Sequence, residues 1–168
     1  YYTPLHLVDT LLDEVYPWEG DYEPISFIDP SCGSGIFLVE AYRRIVCRWM
    51  CTKGVSQITN EQLTAILKEC IYGVDLNEEA VRVASFSLSL ALCDFLDPRS
   101  IWNELSFPKL VNKNLIVSDF FDIELDSRLK KYDIVIGNPP WQSQLTNAAN
   151  DYLKKNNYIV GDKQIAQA

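Results

Sequence analysis

The stretch Ile25-Ser26-Phe27-Ile28-Asp29-Pro30-Ser31-Cys32-Gly33-Ser34-Gly35-Ile36-Phe37-Leu38 decides the fold. Its first five residues are mostly apolar and partly β-branched, as in a strand buried on both faces. An acid, a proline and two glycines then interrupt it, and a helical period begins. Ile36, Val39, Ala41, Ile45, Val46 and Trp49 mark that helix from Gly35 to about Met50. A strand that turns through glycines into a helix is the first half of a βαβ unit. The glycines let the backbone bend tightly and let a ligand approach it closely. Amides at the start of the helix can then meet a carboxylate or phosphate.

Three further apolar runs have the character of the first. They are Cys70 to Asp75, Asn114 to Asp119 and Tyr132 to Gly137. A helix from Glu78 to Leu96 is expected, opened by Asn77, and a short one from Asn60 to Lys68, capped by Thr59 or Asn60. Strand alternating with helix predicts an α/β, doubly wound parallel sheet. Pro98 and Pro108 bracket an expected loop around Trp102. Ala148 to Ala168 reads as a helix plus loop. Lys130-Lys131, Lys154-Lys155, Arg43, Arg44 and Arg48 read as solvated surface.

The chain has 168 residues, enough for one domain with a core and too few for two ordinary ones. Apolar residues make up 48% and charged residues 23%, the balance of a globular protein rather than a disordered one. Fifteen basic against 23 acidic residues give a net charge of −8, which argues against a stand-alone nucleic-acid binder. No apolar run is long enough to span a membrane, and a cytoplasmic location is expected. Five cysteines and one histidine, with no Cys-x-x-Cys pair, fit neither a zinc site nor a secreted scaffold. They read as reduced, mostly buried thiols, with Cys47 and Cys51 on one buried helix face. A chain that opens Tyr1-Tyr2 and closes Gln167-Ala168 reads as a piece of something longer.

Two nucleotide-binding readings fail on the glycine turn. A P-loop needs Gly-Lys-Ser/Thr, which is missing. A dinucleotide fingerprint needs a third glycine where Leu38 stands, and an acid about 20 residues on, whereas Asp75 is far beyond. The acids Asp29, Asp75 and Asp119 end three successive strands, the edge where open α/β sheets bind ligands. A carboxylate at Asp75 suits the two hydroxyls of a ribose, with Leu76 over one face of a purine. Asp119 suits an exocyclic amine, with Phe120 over the ring. The fourth strand ends Gly137-Asn138-Pro139-Pro140-Trp141. The prolines fix the backbone and remove two donors, so the Asn138 amide and the Pro139 carbonyl can both accept from a planar amine. Trp141 offers a face for stacking.

These motifs resemble motifs I to IV of the S-adenosylmethionine-dependent DNA adenine-N6 methyltransferases. Tyr2-Thr3-Pro4 is similar to their motif X, placed before motif I as in the gamma order. Large restriction–modification enzymes of the Eco57I type look most alike. The resemblance implies a Rossmann-like class I methyltransferase fold, with the first four strands of its sheet in order 3-2-1-4 and helices on both faces. Residues 1–168 would be part of the catalytic domain, without a target-recognition domain. It implies S-adenosylmethionine as cofactor. Thr3 and Asp29, with the Gly33–Gly35 turn, would hold its methionine part, Asp75 its ribose, and Asp119 with Phe120 its adenine, and Tyr2, Pro30, Cys32 and Leu76 would also line the cofactor. Asn138, Pro139, Pro140 and Trp141 would hold the target base. The implied reaction is direct in-line methyl transfer to the N6 amine of an adenine flipped from the duplex, with no metal.

The implied partner is double-stranded DNA, met through parts of the protein outside this chain. The piece alone would be poorly active, and its fourth strand would present an edge for self-association. The rivals are a guanine-N2 or adenine methyltransferase of RNA, a glutamine methyltransferase of protein, and a non-catalytic cofactor-binding module. Tyr2-Thr3-Pro4 and Trp141 favour DNA.

Overall fold

A computed structural model describes residues 3–122, 131–140, 144–156 and 158. Helix α1 (Leu5–Val15) precedes strand β1 (Phe27–Asp29), followed by α2 (Ile36–Lys53), α3 (Asn60–Cys70) and β2 (Ile71–Asp75). Then come α4 (Glu78–Cys93), α5 (Pro98–Glu104), β3 (Leu115–Val117), β4 (Ile134–Val135) and α6 (Asn147–Lys155). The four strands form one parallel sheet in the order β3-β2-β1-β4, as expected. Each strand is shorter than its apolar run. Ladder pairing stops where the chain must turn out at Asp29-Pro30 and before Pro139-Pro140.

Register is set at both ends of the sheet. Asp133 Oδ2 accepts from the backbone N–H and the hydroxyl of Ser26, at 2.8 and 2.7 Å, which ties the entry to β4 beside β1. Helix α3 passes into β2 with no connecting residue, ending at Cys70 where the strand begins at Ile71. The Asn114 side chain donates to the carbonyls of Lys68 and Ile71, at 2.9 and 2.8 Å, and so clamps that junction to the start of β3.

One face of the sheet carries Phe27, Ile71 and Leu115 into a core with Leu38, Ala41 and Ile45 of α2, and Ala84 and Leu88 of α4. Val8 and Leu12 of α1 and Leu63 and Leu67 of α3 complete it. Helix α2 settles directly on the strands at Gly73, where a β-carbon would stand 2.8 Å from Leu38 Cδ1 and 3.0 Å from Leu115 Cδ2. The other face carries Ile28 and Val74 under Tyr72, Ile116, Phe120 and Tyr132. Ring contacts run on from Phe120 to Phe121 at 5.7 Å and from Phe121 to Tyr152 of α6 at 5.3 Å. Among the described residues, no helix is long and apolar enough to cross a membrane.

Helix starts follow the expected chemistry. Asn77 Oδ1 accepts from Glu79 and Ala80 at the start of α4. Thr59, rather than Asn60, caps α3 in a reciprocal box with Gln62. Four expectations need correction. The loop around Trp102 contains α5, whose Asp97 accepts from Arg99 and Ser100 with Pro98 in the first turn. Arg44 and Arg48 are buried, because acids and carbonyls of the N-terminal segment receive their guanidinium groups. Cys47 is half-buried and Cys51 exposed, because the last turn of α2 overhangs the core. All five cysteines are free, but only Cys32 and Cys70 are buried, so the thiols are not mostly core. Of the expected C-terminal helix, α6 lies within the described residues, and residues 159–168 lie outside them.

Candidate active site

The turn after β1 is built by glycine. Gly33 and Gly35 take φ of +51° and +84°, in the left-handed region that side-chain-bearing residues avoid. Cys32 N–H donates to the Val74 carbonyl at 2.9 Å, and Gly35 N–H to the Cys32 carbonyl at 2.7 Å. The two glycines differ in what surrounds them. A β-carbon on Gly35 would stand 3.0 Å from Ala84 Cβ, so this glycine seats α2 against α4. A β-carbon on Gly33 would meet nothing within 4 Å. Gly33 therefore presents bare backbone to open space at the carboxyl edge.

Asp75 ends β2 and accepts from Gly33 N–H through Oδ2 and from Asn77 N–H through Oδ1, each at 2.8 Å. It thus joins the glycine turn to the cap of α4, and each oxygen has a second lone pair. Leu76 beside it is 63% exposed. One strand further out, Asp119 Oδ1 accepts from Phe121 N–H at 2.9 Å within its own turn. Ser118 N–H donates to the Asp75 carbonyl at 3.1 Å and keeps that turn beside β2. Phe120 leans on Ile28 and Val74 of the second face.

Asp29 is the acid the fold treats most severely. It is 1% exposed, accepts from Ser31 N–H at 2.9 Å, and pairs with no cation among the described residues. Burial pushes its carboxyl up to about 7, the Ser31 amide opposes this, and the charge on Asp75 adds to it. The same burial, with Asp29 and Asp75 nearby, raises the Cys32 thiol far above its ordinary value, so Cys32 is no nucleophile. Pro30 is half-buried between the two.

The exit of β4 closes the site. Gly137 lies against the Asp29 carboxylate so closely that a β-carbon there would collide with Oδ1 and stand 2.9 Å from Cγ. Asn138 Nδ2 donates to Thr3 Oγ1 at 3.3 Å, a contact spanning 135 residues of sequence. Pro139 is half-buried and Pro140 exposed. Tyr2 and Trp141 lie outside the described residues. Thr3, Asp29, Gly137 and Asn138 thus stand together on one side, Gly33 with Asp75 next to them, and Asp119 with Phe120 one strand further out.

Sequence reasoning missed two participants. Ser31 Oγ is buried without a hydrogen-bond partner among the described residues, an orphan hydroxyl in the turn between Asp29 and Gly33. Its signal was a polar residue placed next to the glycines. Gly137 looks in sequence like the end of a strand, and nothing local marks it as the floor under Asp29.

A Rossmann-like sheet with this edge is the fold of known methyltransferase subunits. The M protein of type I restriction enzyme EcoKI superposes with a TM-score of 0.56 at 18% identity, over 83% of this chain and 25% of that one. A modification subunit of a type I restriction enzyme from Vibrio vulnificus does so with 0.56 at 18%, over 90% and 26%. The family model of the Eco57I restriction-modification methylases matches residues 69–167, and the chain belongs to that family. The type II methyltransferase M.BstVI of Geobacillus stearothermophilus is 31% identical over 85% of this chain and 24% of its own length. M.VspI of a Vibrio strain is 27% identical over 91% and 28%. The chain spans about a quarter of the length of these curated relatives.

Proposed function

We propose that this chain forms part of the catalytic domain of a DNA methyltransferase of a restriction–modification system. It binds S-adenosylmethionine, and the methyl acceptor is the N6 amine of adenine in duplex DNA. The observation that carries this reading is the exit of β4. Gly137-Asn138-Pro139-Pro140 leaves the sheet on top of Asp29, and Thr3 takes the Asn138 amide nitrogen. In that contact the Asn138 amide nitrogen faces Thr3. In this reading the Asn138 oxygen and the Pro139 carbonyl are the two acceptors for a planar exocyclic amine. Accepting both N–H bonds leaves the nitrogen lone pair more pyramidal and more nucleophilic, so the acceptor base is prepared by position rather than by a covalent nucleophile.

The residues of the carboxyl edge fit the cofactor. Gly33 opens bare backbone into free space, and among the described residues the buried Ser31 hydroxyl has no partner and the buried Asp29 carboxyl no cation. These suit the charged amino-acid end of S-adenosylmethionine, with Thr3 and Gly35 alongside. Asp75 suits the ribose, Leu76 one face of the purine, and Asp119 with Phe120 the adenine. When bound, the cofactor supplies an electrophilic methyl group on a sulfonium. Trp141, by its place after the prolines, would stack on the target base.

The test offers labelled S-adenosylmethionine to the complete protein with duplex DNA, ribosomal RNA or protein, and digests the products. Label in N6-methyladenine from DNA is the expected result. Label confined to RNA or protein overturns the acceptor, and no transfer to any of them overturns the enzyme.

A further inference from the structure

Helix α1 has a weak apolar hold on the protein. Of its residues only Val8 and Leu12 are buried, whereas Leu5, Leu7, Leu11 and Val15 are exposed. Its N-cap is Pro4, with no side-chain hydrogen bond. Thr3, the residue that meets Asn138, sits immediately before that cap. Two apolar side chains leave a helix free to slide or rotate, yet the Thr3 contact tolerates little of either.

The missing constraint is a buried guanidinium. The Arg44 side chain is 0% exposed, and Nη1 donates to Asp13 Oδ1 at 2.6 Å and to the Tyr16 carbonyl at 3.1 Å. Nη2 donates to Asp9 Oδ1 at 3.3 Å. Asp9 and Asp13 stand one turn apart on α1, so a planar fork across both fixes the helix along its axis and about it. One turn on along α2, Arg48 donates to the carbonyls of Pro17 and Glu19, at 2.8 and 2.6 Å, and lies over the Tyr16 ring.

We propose that Arg44, gripped by Asp9 and Asp13, is a positioning residue for methyl transfer: it sets α1 so that Thr3 stays on Asn138. The inference rests on the reading of Asn138 under Proposed function. Arg44 touches none of the site residues itself. It stands on α2, the helix that begins at the Gly33–Gly35 turn, so one rod links that turn to α1 and, through Thr3, to Asn138. Stability alone is a poor reason for this arrangement. The side chains of its partners Asp9 and Asp13 are 41% and 57% exposed, and ion pairs to such exposed acids contribute little net stability, while Arg44 Nε is buried with no partner among the described residues.

The experiment uses the complete protein with Arg44→Met, which fills the space without charge, and Arg44→Lys, which keeps the charge and loses the fork. Arg44→Met should lower kcat roughly five- to tenfold, about the worth of one hydrogen bond, with KM for duplex DNA within about twofold. In a Thr3→Val background the same substitution should cost nothing more. A general loss of folded protein would multiply through both backgrounds, so an equal loss in both overturns the proposal. Full activity in Arg44→Met overturns it as well, and so does rescue to wild-type kcat by lysine. Hydrogen exchange of residues 3–12 should rise in Arg44→Met while β2 and β3 stay protected, and unchanged exchange there overturns the latch. That readout does not depend on activity. A wild-type protein that transfers no methyl group therefore sinks the proposed function while the exchange result still decides whether Arg44 holds α1.

Discussion

The carboxylate of Asp29 occupies the place where a β-carbon on Gly137 would stand. The first and fourth strands therefore share one floor, with the buried acid from one and the bare backbone from the other in contact. Gly137→Ala should displace Asp29 or lift the Asn138-Pro139-Pro140 turn. Overpacking of this kind costs roughly 1–3 kcal/mol, and the methyl-transfer rate should fall by more than stability does. Thermal unfolding read beside single-turnover transfer checks this. A well-folded variant with wild-type transfer would show that the contact is incidental.

Asp29 also gives a signed pH dependence. Its carboxyl is pushed up to about 7 in the folded chain, against about 3.9 when unfolded. Between those values the folded state keeps a proton that the unfolded state has lost. Its contribution is fully favourable below about pH 4, falls by at most roughly 1.4 kcal/mol per unit as pH rises, and levels off above about 7. Asp29→Asn should abolish that slope, measured as the difference between the two proteins in chemical unfolding from pH 4.5 to 8.

A cationic cofactor reverses the preference, because it favours the ionised carboxylate. Binding of S-adenosylmethionine should tighten as pH rises towards 7 and release protons. Calorimetry in two buffers of different ionisation enthalpy reads that release. Binding with no proton exchange at pH 6.5 would mean that Asp29 does not face the ligand's charge.

The two turn glycines separate folding from binding. Gly35→Ala meets both the left-handed φ and Ala84, and should cost stability on the order of 2–4 kcal/mol. Gly33→Ala meets only the φ, for about 1–2 kcal/mol, but puts a methyl group into the open cradle. Equilibrium unfolding and cofactor affinity, measured on both variants, should rank them in opposite orders.

At the other edge of the sheet, β4 pairs only with β1 among the described residues, and Val135 on it is 64% exposed. The 168-residue chain made alone should associate with itself in a concentration-dependent way. Val135→Lys should suppress this, as read by sedimentation velocity.

The four strands and the acids that end three of them were legible because near-continuous apolar runs and turn residues are local signals. Asn77 and Thr59 were legible as caps for the same reason. Helix α1 carries a helical signal too, with Leu5, Leu7, Val8, Leu11, Leu12 and Val15 on one side, but no side chain caps its start. For α5 the local signal is an aspartate followed by proline, a pair that suits a loop boundary as well as a helix start. Arg44 looks solvated in isolation, since its partners lie 31 and 35 residues back. The contact of Gly137 with Asp29 and that of Thr3 with Asn138 span more than a hundred residues. Only the folded chain brings them together, and no local pattern announces them.

The junction at Cys70 and Ile71 limits how this chain can change length. With no residue between helix and strand, the count from the Thr59 cap decides which side of the sheet each residue of β2 faces. One residue inserted there would exchange the sides. Tyr72 would then turn onto α2, where Leu38 leaves room only for a glycine, and Asp75 would swing away from the Gly33 amide. Residues 59–77 therefore behave as a ruler of fixed length.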